Sequence, residues 1–92
     1  MPSRKDKRRD HELVKALSHP VRLEILQALE GRIASPAELS QELGRRPAVV
    51  SYHAGTLLRC GCLELVRSRG RRGAIENFFA VTPRSLSGRR DN

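Results

Sequence analysis

Apolar residues recur at helical spacing in four consecutive segments over the first two thirds of the chain. Within each segment they lie three or four residues apart, which puts them on one face of a helix and predicts four amphipathic helices that share a core. These positions are Leu13, Val14 and Leu17; Val21, Ile25 and Leu29; Leu39 and Leu43; and Val50, Ala54, Leu57 and Leu58.

Capping residues set the limits of these predicted helices. The best-defined start is Ser35-Pro36-Ala37-Glu38, because a capping serine, a first-turn proline and a glutamate at the third position together satisfy or remove unpaired backbone donors. Gly31, Gly44 and Gly61 follow three of the apolar segments and are typical helix stops. The predicted helices are therefore Asp10–Leu17, Pro20–Glu30, Pro36–Leu43 and residues 47–60.

The pattern changes to alternation after the last helix, which predicts two strands. Leu63 and Leu65 should point inward with Glu64 outward, and a second strand should cover Ala74–Val81. Gly70-Arg71-Arg72-Gly73 supplies a hairpin turn with arginines at its tip. The fold class is therefore α+β, mainly α: a winged helix-turn-helix of four helices plus a C-terminal two-stranded β-hairpin wing.

The net charge of +8 is concentrated in three places. Residues 1–10 carry five basic and two acidic side chains, residues 67–73 carry four arginines, and residues 84–92 carry three arginines and one aspartate. Clustered basic groups favour a polyanion as partner, because each contact with a phosphate releases condensed counterions. Basic clusters that only increase solubility are the alternative interpretation.

Composition also bounds the domain organisation. We expect a disordered basic arm over residues 1–9, one DNA-binding domain over residues 10–82, and a disordered basic tail over residues 83–92. The chain has no apolar run near the roughly 20 residues needed to cross a bilayer. We therefore expect a cytoplasmic protein without a membrane partner.

The side chains that could carry other chemistry are few. The sequence contains no recognisable nucleophile–base pair, paired carboxylates or phosphate-binding glycine loop, so we predict neither an enzyme nor a cofactor. Cys60-Gly61-Cys62 offers two thiols, where a zinc site needs four ligands, so we predict no metal. Small buried residues are the favoured interpretation of these cysteines, and a response to oxidants or soft metals is the alternative. His19, between two predicted helices, is expected to cap or pack.

Several segments together support a family resemblance. ALSHPVRLEILQAL, SPAELSQELG, VVSYHAGTLLRCGCLELV and RGRRGAIENFFAVT occur in this order over about Leu13 to Thr82. In sequence and spacing they resemble the winged-helix regulators of the arsenical-resistance-repressor (ArsR/SmtB) type. The resemblance implies a prokaryotic transcription regulator that binds operator DNA as a homodimer, often as a repressor, and in some members responds to a metal or another signal.

The resemblance also implies roles for individual residues. Ser51, Tyr52 and His53 match recognition-helix positions that commonly touch bases or phosphates, although His53 could equally pack in the core. Arg71 and Arg72 match wing positions that approach the minor groove or backbone. Adding the neighbouring polar and arginine side chains gives the predicted DNA-binding set: Arg45, Arg46, Ser51, Tyr52, His53, Thr56, Arg59, Arg69, Arg71 and Arg72.

Some positions depart from the family pattern. The predicted helix Pro36–Leu43 lacks the cysteine pair of many metal sensors, and we expect no fifth helix after the wing, where relatives often form part of the dimer interface. Gly55 lies in mid-helix where the family usually has a larger residue.

We therefore predict a sequence-specific duplex-DNA-binding regulator, in the role of a repressor. Helix 47–60 would lie in the major groove and wing 67–75 on the backbone or minor groove. A protein-interaction adaptor, and a thiol- or metal-responsive regulator that uses Cys60 and Cys62, are the alternatives.

Overall fold

The computed structural model describes residues 18–83, which form three helices followed by one β-hairpin. The elements are α1 (Pro20–Ala28), α2 (Pro36–Leu43), α3 (Pro47–Arg59), β1 (Leu63–Arg71) and β2 (Ala74–Val81). Three helices in this range do not match the four predicted; the predicted helix Asp10–Leu17 lies outside the described residues, as do the predicted arm and nearly all of the predicted tail. None of the described helices is long and apolar enough to cross a membrane.

The helix starts follow from local sequence. The side chain of His19 caps α1 by accepting a hydrogen bond at Nδ1 from the backbone N–H of Val21 over 3.2 Å, which confirms its predicted capping role. At α2 the predicted capping box is present: Ser35 Oγ accepts from the Glu38 N–H, and Glu38 Oε1 accepts from the Ser35 N–H. The limits of α2 are therefore those predicted from sequence.

One apolar core joins all three helices to the base of the hairpin. Ile25 of α1, Leu39 of α2 and Val50 and Leu57 of α3 are fully buried at its centre. Leu58, which was expected to face this core, is 39% exposed, so that expectation was wrong. The buried stripe of α3 is carried by Val50, His53, Ala54 and Leu57, which leaves Leu58 on the flank of the helix.

The hairpin is antiparallel, and its strands pair from Leu63 opposite Val81 to Arg71 opposite Ala74. The turn is centred on Arg72 and Gly73, which both have positive φ angles of 50° and 80°. Positive φ at both central residues is the signature of a type I′ turn, which matches the twist of a two-residue hairpin. The arginine-bearing tip predicted from sequence is thus present, with a tighter turn than the four-residue segment suggests.

A bulge at Val66 changes which residues share a face of the hairpin. Leu65 lies opposite Phe79, and Arg67 lies opposite Phe78, so Val66 has no opposing residue. Phe79 packs in the core, while Phe78 lies on the other face under the guanidinium groups of Arg67 and Arg69, 4.8 and 5.1 Å from the ring centre. Both phenylalanines are therefore buried although they are adjacent in a strand.

The hairpin extends beyond the body of the domain, and this overturns one expectation about β1. Leu65 was expected to point inward, yet it is 51% exposed. Only Leu63 at the start of β1 is buried, because the helices cover the base of the hairpin and not its outer part. The base is held by an isolated bridge in which the backbone groups of Ala34 and Phe79 exchange hydrogen bonds of 2.9 and 3.2 Å.

Candidate nucleic-acid interface

The turn between α2 and α3 is short and fixed by its own hydrogen bonds. Gly44 ends α2 in the left-handed conformation. The hydroxyl of the buried Ser40 donates to the carbonyl of Arg45 over 2.5 Å, and the N–H of Arg45 donates to the carbonyl of Ser40 over 3.1 Å. Pro47 then starts α3. Two helices joined in this way are a helix-turn-helix unit, in which the second helix reads DNA.

The exposed face of α3 carries several polar side chains. Ser51 and Arg59 are exposed, and Tyr52 is 62% exposed. Thr56 is half-buried; its hydroxyl donates to the carbonyl of Tyr52 over 3.3 Å and accepts from Arg59 Nη2 over 3.2 Å. Serine, tyrosine and arginine side chains can all contact phosphates or base edges, so this face has the chemistry that DNA recognition needs.

His53 belongs to the predicted DNA-binding set, but the fold buries it away from the exposed face of α3. Its side chain is 7% exposed, and its Nδ1 accepts a hydrogen bond from Arg22 Nε over 3.0 Å. The ring of His19 lies 4.2 Å away, centre to centre. Burial first, and then the electrostatic influence of His19, Arg22 and Arg45, lowers the pKa of His53. His53 therefore joins α3 to α1 through this buried contact.

Three of the predicted arginines have carboxylate partners within the protein. Arg45 forms a bidentate ion pair with Glu24 of α1, with hydrogen bonds of 3.1 Å from Nε and 2.7 Å from Nη2. This ion pair lowers the pKa of the Glu24 carboxyl. Arg69 and Arg71 both approach Glu76 of β2, at 3.0 and 3.8 Å. These three guanidinium groups are exposed, but each of them already has a carboxylate partner within the protein.

The other three predicted arginines have no carboxylate partner within residues 18–83, and of these Arg59 donates to the hydroxyl of Thr56. Arg46, directly before α3, and Arg72, at the tip of the hairpin, are exposed and make no side-chain hydrogen bond or ion pair there. Arginine is well suited to phosphate because its planar fork offers several donors. Within the predicted set, Arg46 and Arg72 are thus the arginines most available to a phosphate.

An open groove of about 680 Å³ connects the recognition helix with the wing. Ser51 and Gly55 of α3 form part of one wall, and Arg71, Ile75 and Asn77 of the hairpin form part of the opposite wall. Residues of α2 complete the lining: Pro36, Ala37 and Gln41. Gly55 adds no side chain to this wall. The groove brings one predicted base-contacting residue, Ser51, and one predicted phosphate-contacting residue, Arg71, to the same space.

Sequence reasoning missed three groups in this region. Glu76 pairs with the wing arginines, Arg67 covers Phe78, and Ile75 is 75% exposed beside the groove. Counting outward from a two-residue turn at Arg72-Gly73 places Glu76 opposite Arg69, so the hairpin register could have indicated the first of these.

The two cysteines lie where α3 ends and β1 begins. Cys60 is the partly exposed C-terminal cap of α3, and Cys62 is fully buried next to Leu63. Their sulfur atoms are 3.1 Å apart, and both thiols are free. Within the described part of the chain, no group of three or more histidine, cysteine or carboxylate side chains could hold a metal ion.

Comparison with known proteins agrees with this geometry. A family model described as "helix-turn-helix domain" matches residues 17–66, which is more than half of the chain. No curated protein sequence matches the chain. Among solved structures, the chain is similar to HlyU from Vibrio cholerae N16961, with a TM-score of 0.74 and 24% identity over 94% of this chain and 89% of that one.

Two further structures are similar over most of their length. Reduced HlyU from the same organism has a TM-score of 0.70 and 27% identity, covering 90% of this chain and 84% of that one. The homodimeric winged helix-turn-helix DNA-binding domain Mb0332 from Mycobacterium bovis, described as a possible ArsR-family regulator, has a TM-score of 0.73 and 18% identity, covering 95% and 79%. The chain therefore belongs to the helix-turn-helix domain family, and its fold is the winged helix-turn-helix that these solved structures share.

Proposed function

We propose that this protein is a repressor that recognises a specific duplex-DNA operator as a homodimer in the cytoplasm of a prokaryote. In this proposal α3 lies in the major groove and the tip of the hairpin contacts the backbone or the adjacent minor groove. The protein is a binding module without catalytic chemistry or a cofactor.

The groove between α3 and the wing is the observation that carries this proposal. Its walls hold Ser51 on the helix side and Arg71 on the hairpin side, and Gly55 leaves the helix wall open. A DNA backbone strand that separates a major groove from the neighbouring minor groove fits such a space, with the helix on one side and the wing on the other.

The proposed contacts divide into two classes. Tyr52 and Ser51 on the exposed face of α3 would read base edges, with Thr56 beside them. Arg46, Arg59 and Arg72 would bind phosphates and so set the position of the protein without reading sequence. Arg45, Arg69 and Arg71 would contribute less, because each of them is already paired with a carboxylate. His53 would act only by holding α3 against α1.

A homodimer is supported by one structural neighbour. Mb0332 is described as homodimeric, and a dimer with a two-fold axis would present two α3 helices to one face of the duplex. The two half-sites would then lie about 10 base pairs, or a multiple of this, apart.

Selection from random duplex DNA, followed by affinity measurement against salt concentration, tests this proposal. We expect enrichment of sequences with two related half-sites and an affinity that falls linearly with the logarithm of salt concentration. Absence of any enriched sequence, together with an affinity insensitive to salt, would contradict DNA recognition and favour the adaptor function instead. Sedimentation of the complex tests the dimer, for which two chains per duplex are expected.

The distance between the cysteine sulfurs favours a second candidate, a regulator that responds to oxidants. A hydroperoxide would first oxidise the partly exposed Cys60 thiol to a sulfenic acid, releasing one water from hydrogen peroxide. Attack by Cys62 would then form a disulfide and release a second water. Because this pair connects α3 to β1, its closure would change how the recognition helix meets the wing.

Hydrogen peroxide treatment tests this second candidate. The protein should lose two hydrogen atoms in mass and change its DNA affinity reversibly on reduction, while Cys60→Ser should show neither effect. Disulfide formation without any change of affinity would contradict a regulatory role for the pair.

A further inference from the structure

Glu76 of β2 is more enclosed than a side chain in a two-stranded hairpin is expected to be. It lies opposite Arg69 in the hairpin register, and its side chain is 9% exposed, against 54% for Arg69 and 61% for Arg71. The carboxylate is therefore enclosed while the guanidinium groups around it face solvent.

Both carboxylate oxygens of Glu76 have partners. Oε2 accepts a hydrogen bond of 2.6 Å from the hydroxyl of Ser35, and Oε1 accepts one of 3.0 Å from Arg69 Nε, with Arg71 Nη1 3.8 Å away. The first contact comes from outside the hairpin, because Ser35 is the N-terminal cap of α2. Glu76 thus connects the wing to the helix-turn-helix unit.

The hydroxyl of Ser35 has a single orientation in this arrangement. Its oxygen accepts from the N–H of Glu38 over 3.2 Å, and Ser35 is fully buried, so its only proton is directed to Glu76. This hydrogen bond and the one from Arg69 lower the pKa of the Glu76 carboxyl. Glu76 is consequently negatively charged at neutral pH, the condition under which the protein would bind DNA.

A charged carboxylate at this position competes with DNA. Arginine adds to sequence-independent affinity when it neutralises a phosphate and releases counterions, which contributes a slope of about 0.9 per contact to the dependence of log affinity on log salt. Arg69 and Arg71 already face an anion inside the protein, so a phosphate gains less from them than from Arg72. The wing is therefore less cationic toward DNA than its sequence suggests.

We propose that Glu76 is a specificity-determining residue that holds Arg69 and Arg71 within the hairpin and thereby limits sequence-independent DNA affinity. This inference rests on the proposed function as a DNA-binding regulator. A regulator must find one operator among a great excess of other sequences. A lower non-specific affinity therefore raises the ratio of operator affinity to non-specific affinity, which is the measure of specificity.

An alternative role for Glu76 would have the opposite effect on DNA affinity. A carboxylate can also orient an arginine so that its remaining donors point at a phosphate, in which case Glu76 would strengthen binding. The two roles predict opposite signs for the same substitution.

Glu76→Gln tests the sign, because glutamine keeps the shape and an oxygen that can accept from Ser35 but loses the charge. The probe is a random-sequence duplex, with its affinity measured over a series of salt concentrations. We expect several-fold tighter binding at low salt and a slope steeper by about 0.9 to 1.8, which corresponds to one or two added phosphate contacts. Affinity for a selected operator should rise less, so the specificity ratio should fall.

Glu42→Gln is the matched control. Glu42 forms a bidentate ion pair with Arg32, with hydrogen bonds of 2.8 and 2.9 Å. The substitution therefore removes the same charge and releases one arginine, but away from the wing. Its slope should stay close to that of the unchanged protein. Equal steepening in both variants would mean a general effect of net charge and would overturn the inference, as would weaker binding or an unchanged slope in Glu76→Gln.

A second variant keeps the inference testable if Glu76→Gln does not fold. Replacing Arg69 and Arg71 together by glutamine should reduce the slope by less than about 0.9, because Glu76 already restrains both groups. A reduction near 1.8 would mean that both arginines bind phosphate fully and would overturn the inference. If the unchanged protein binds no duplex DNA in a salt-dependent way, the proposed function itself fails; if it binds and the variants behave alike, only the role of Glu76 fails.

Discussion

Arg22 donates a hydrogen bond from Nε to Nδ1 of His53 over 3.0 Å, and this contact joins α1 to the buried side of the recognition helix. The acceptor nitrogen must lack a proton, because the arginine side chain is always charged and can only donate. His53 is therefore neutral in the folded protein, which agrees with the lowered pKa that burial and nearby positive charge produce.

The first prediction is that stability decreases as pH falls below about 6.5. In the unfolded chain His53 binds a proton near its ordinary pKa of about 6.5, whereas in the folded state its pKa is lower. The unfolded state thus binds more protons between these two values, so the free energy of unfolding rises with pH in this window. Denaturant unfolding at pH 5.5 and 7.5 measures the difference.

His53→Asn is the informative variant for this prediction. Asparagine retains a polar group that can accept from Arg22 but does not titrate, so stability should become less dependent on pH between 5.5 and 7.5. The carboxylates Glu24, Glu42 and Glu76 have pKa values lowered from 4.5, so their contributions are lost only at more acidic pH. Undiminished pH dependence in His53→Asn would assign the effect to another group.

The second prediction concerns two glycines that should respond oppositely to alanine. Gly55 lies within α3, and an added Cβ would meet only Arg59 Nη1 at 3.4 Å, so Gly55→Ala should raise the free energy of unfolding by about 0.5 to 1 kcal/mol. Gly44 has open space around it but a φ of 65°, so Gly44→Ala should lower stability by about 1 kcal/mol. Thermal or denaturant unfolding of both variants checks the signs, and destabilisation by Gly55→Ala would show that α3 needs the glycine.

Some parts of this structure could be predicted because the deciding interactions are local. Ser35, Pro36 and Glu38 fix the start of α2 through hydrogen bonds within four residues, and Gly44 fixes its end. The limits of β2 and the arginine-bearing tip follow from alternation and turn residues in the same way. For the same reason the helix-turn-helix unit, and with it the site region, was recognisable.

Other parts depend on contacts between distant segments and were not predictable. The exposure of Leu65 depends on how far the helices cover the hairpin, and the burial of His53 depends on Arg22, 31 residues away. The contact between Ser35 and Glu76 spans 41 residues. In each case the sequence offers a suitable side chain, but only tertiary packing determines its partner.

The third prediction separates base reading from phosphate binding on the recognition helix. Tyr52→Ala removes a ring that is 62% exposed, so it should change sequence preference in a selection and leave the salt dependence nearly unchanged. Arg46→Ala should weaken all duplexes alike and reduce the salt slope by about 0.9. If both variants lose affinity uniformly, Tyr52 does not read bases.

The fourth prediction is that Arg72 lowers the stability of the hairpin and raises DNA affinity. Its φ of 50° is a conformation that costs an ordinary L-residue about 1 kcal/mol, whereas asparagine followed by glycine is favoured in a type I′ turn. Arg72→Asn should therefore raise the free energy of unfolding by about 0.5 to 1 kcal/mol while it weakens binding to every duplex and reduces the salt slope by about 0.9.

Arg71→Asn is the control for this last prediction, since it removes the same charge from a residue inside β1 that pairs with Glu76. It should not stabilise the hairpin, because asparagine is disfavoured in strands, and it should change the salt slope less than Arg72→Asn does. Opposite effects on stability and affinity at Arg72 alone would mean that the arginine is kept at the tip for binding. If Arg72→Asn leaves DNA affinity unchanged, the tip of the wing does not contact the duplex.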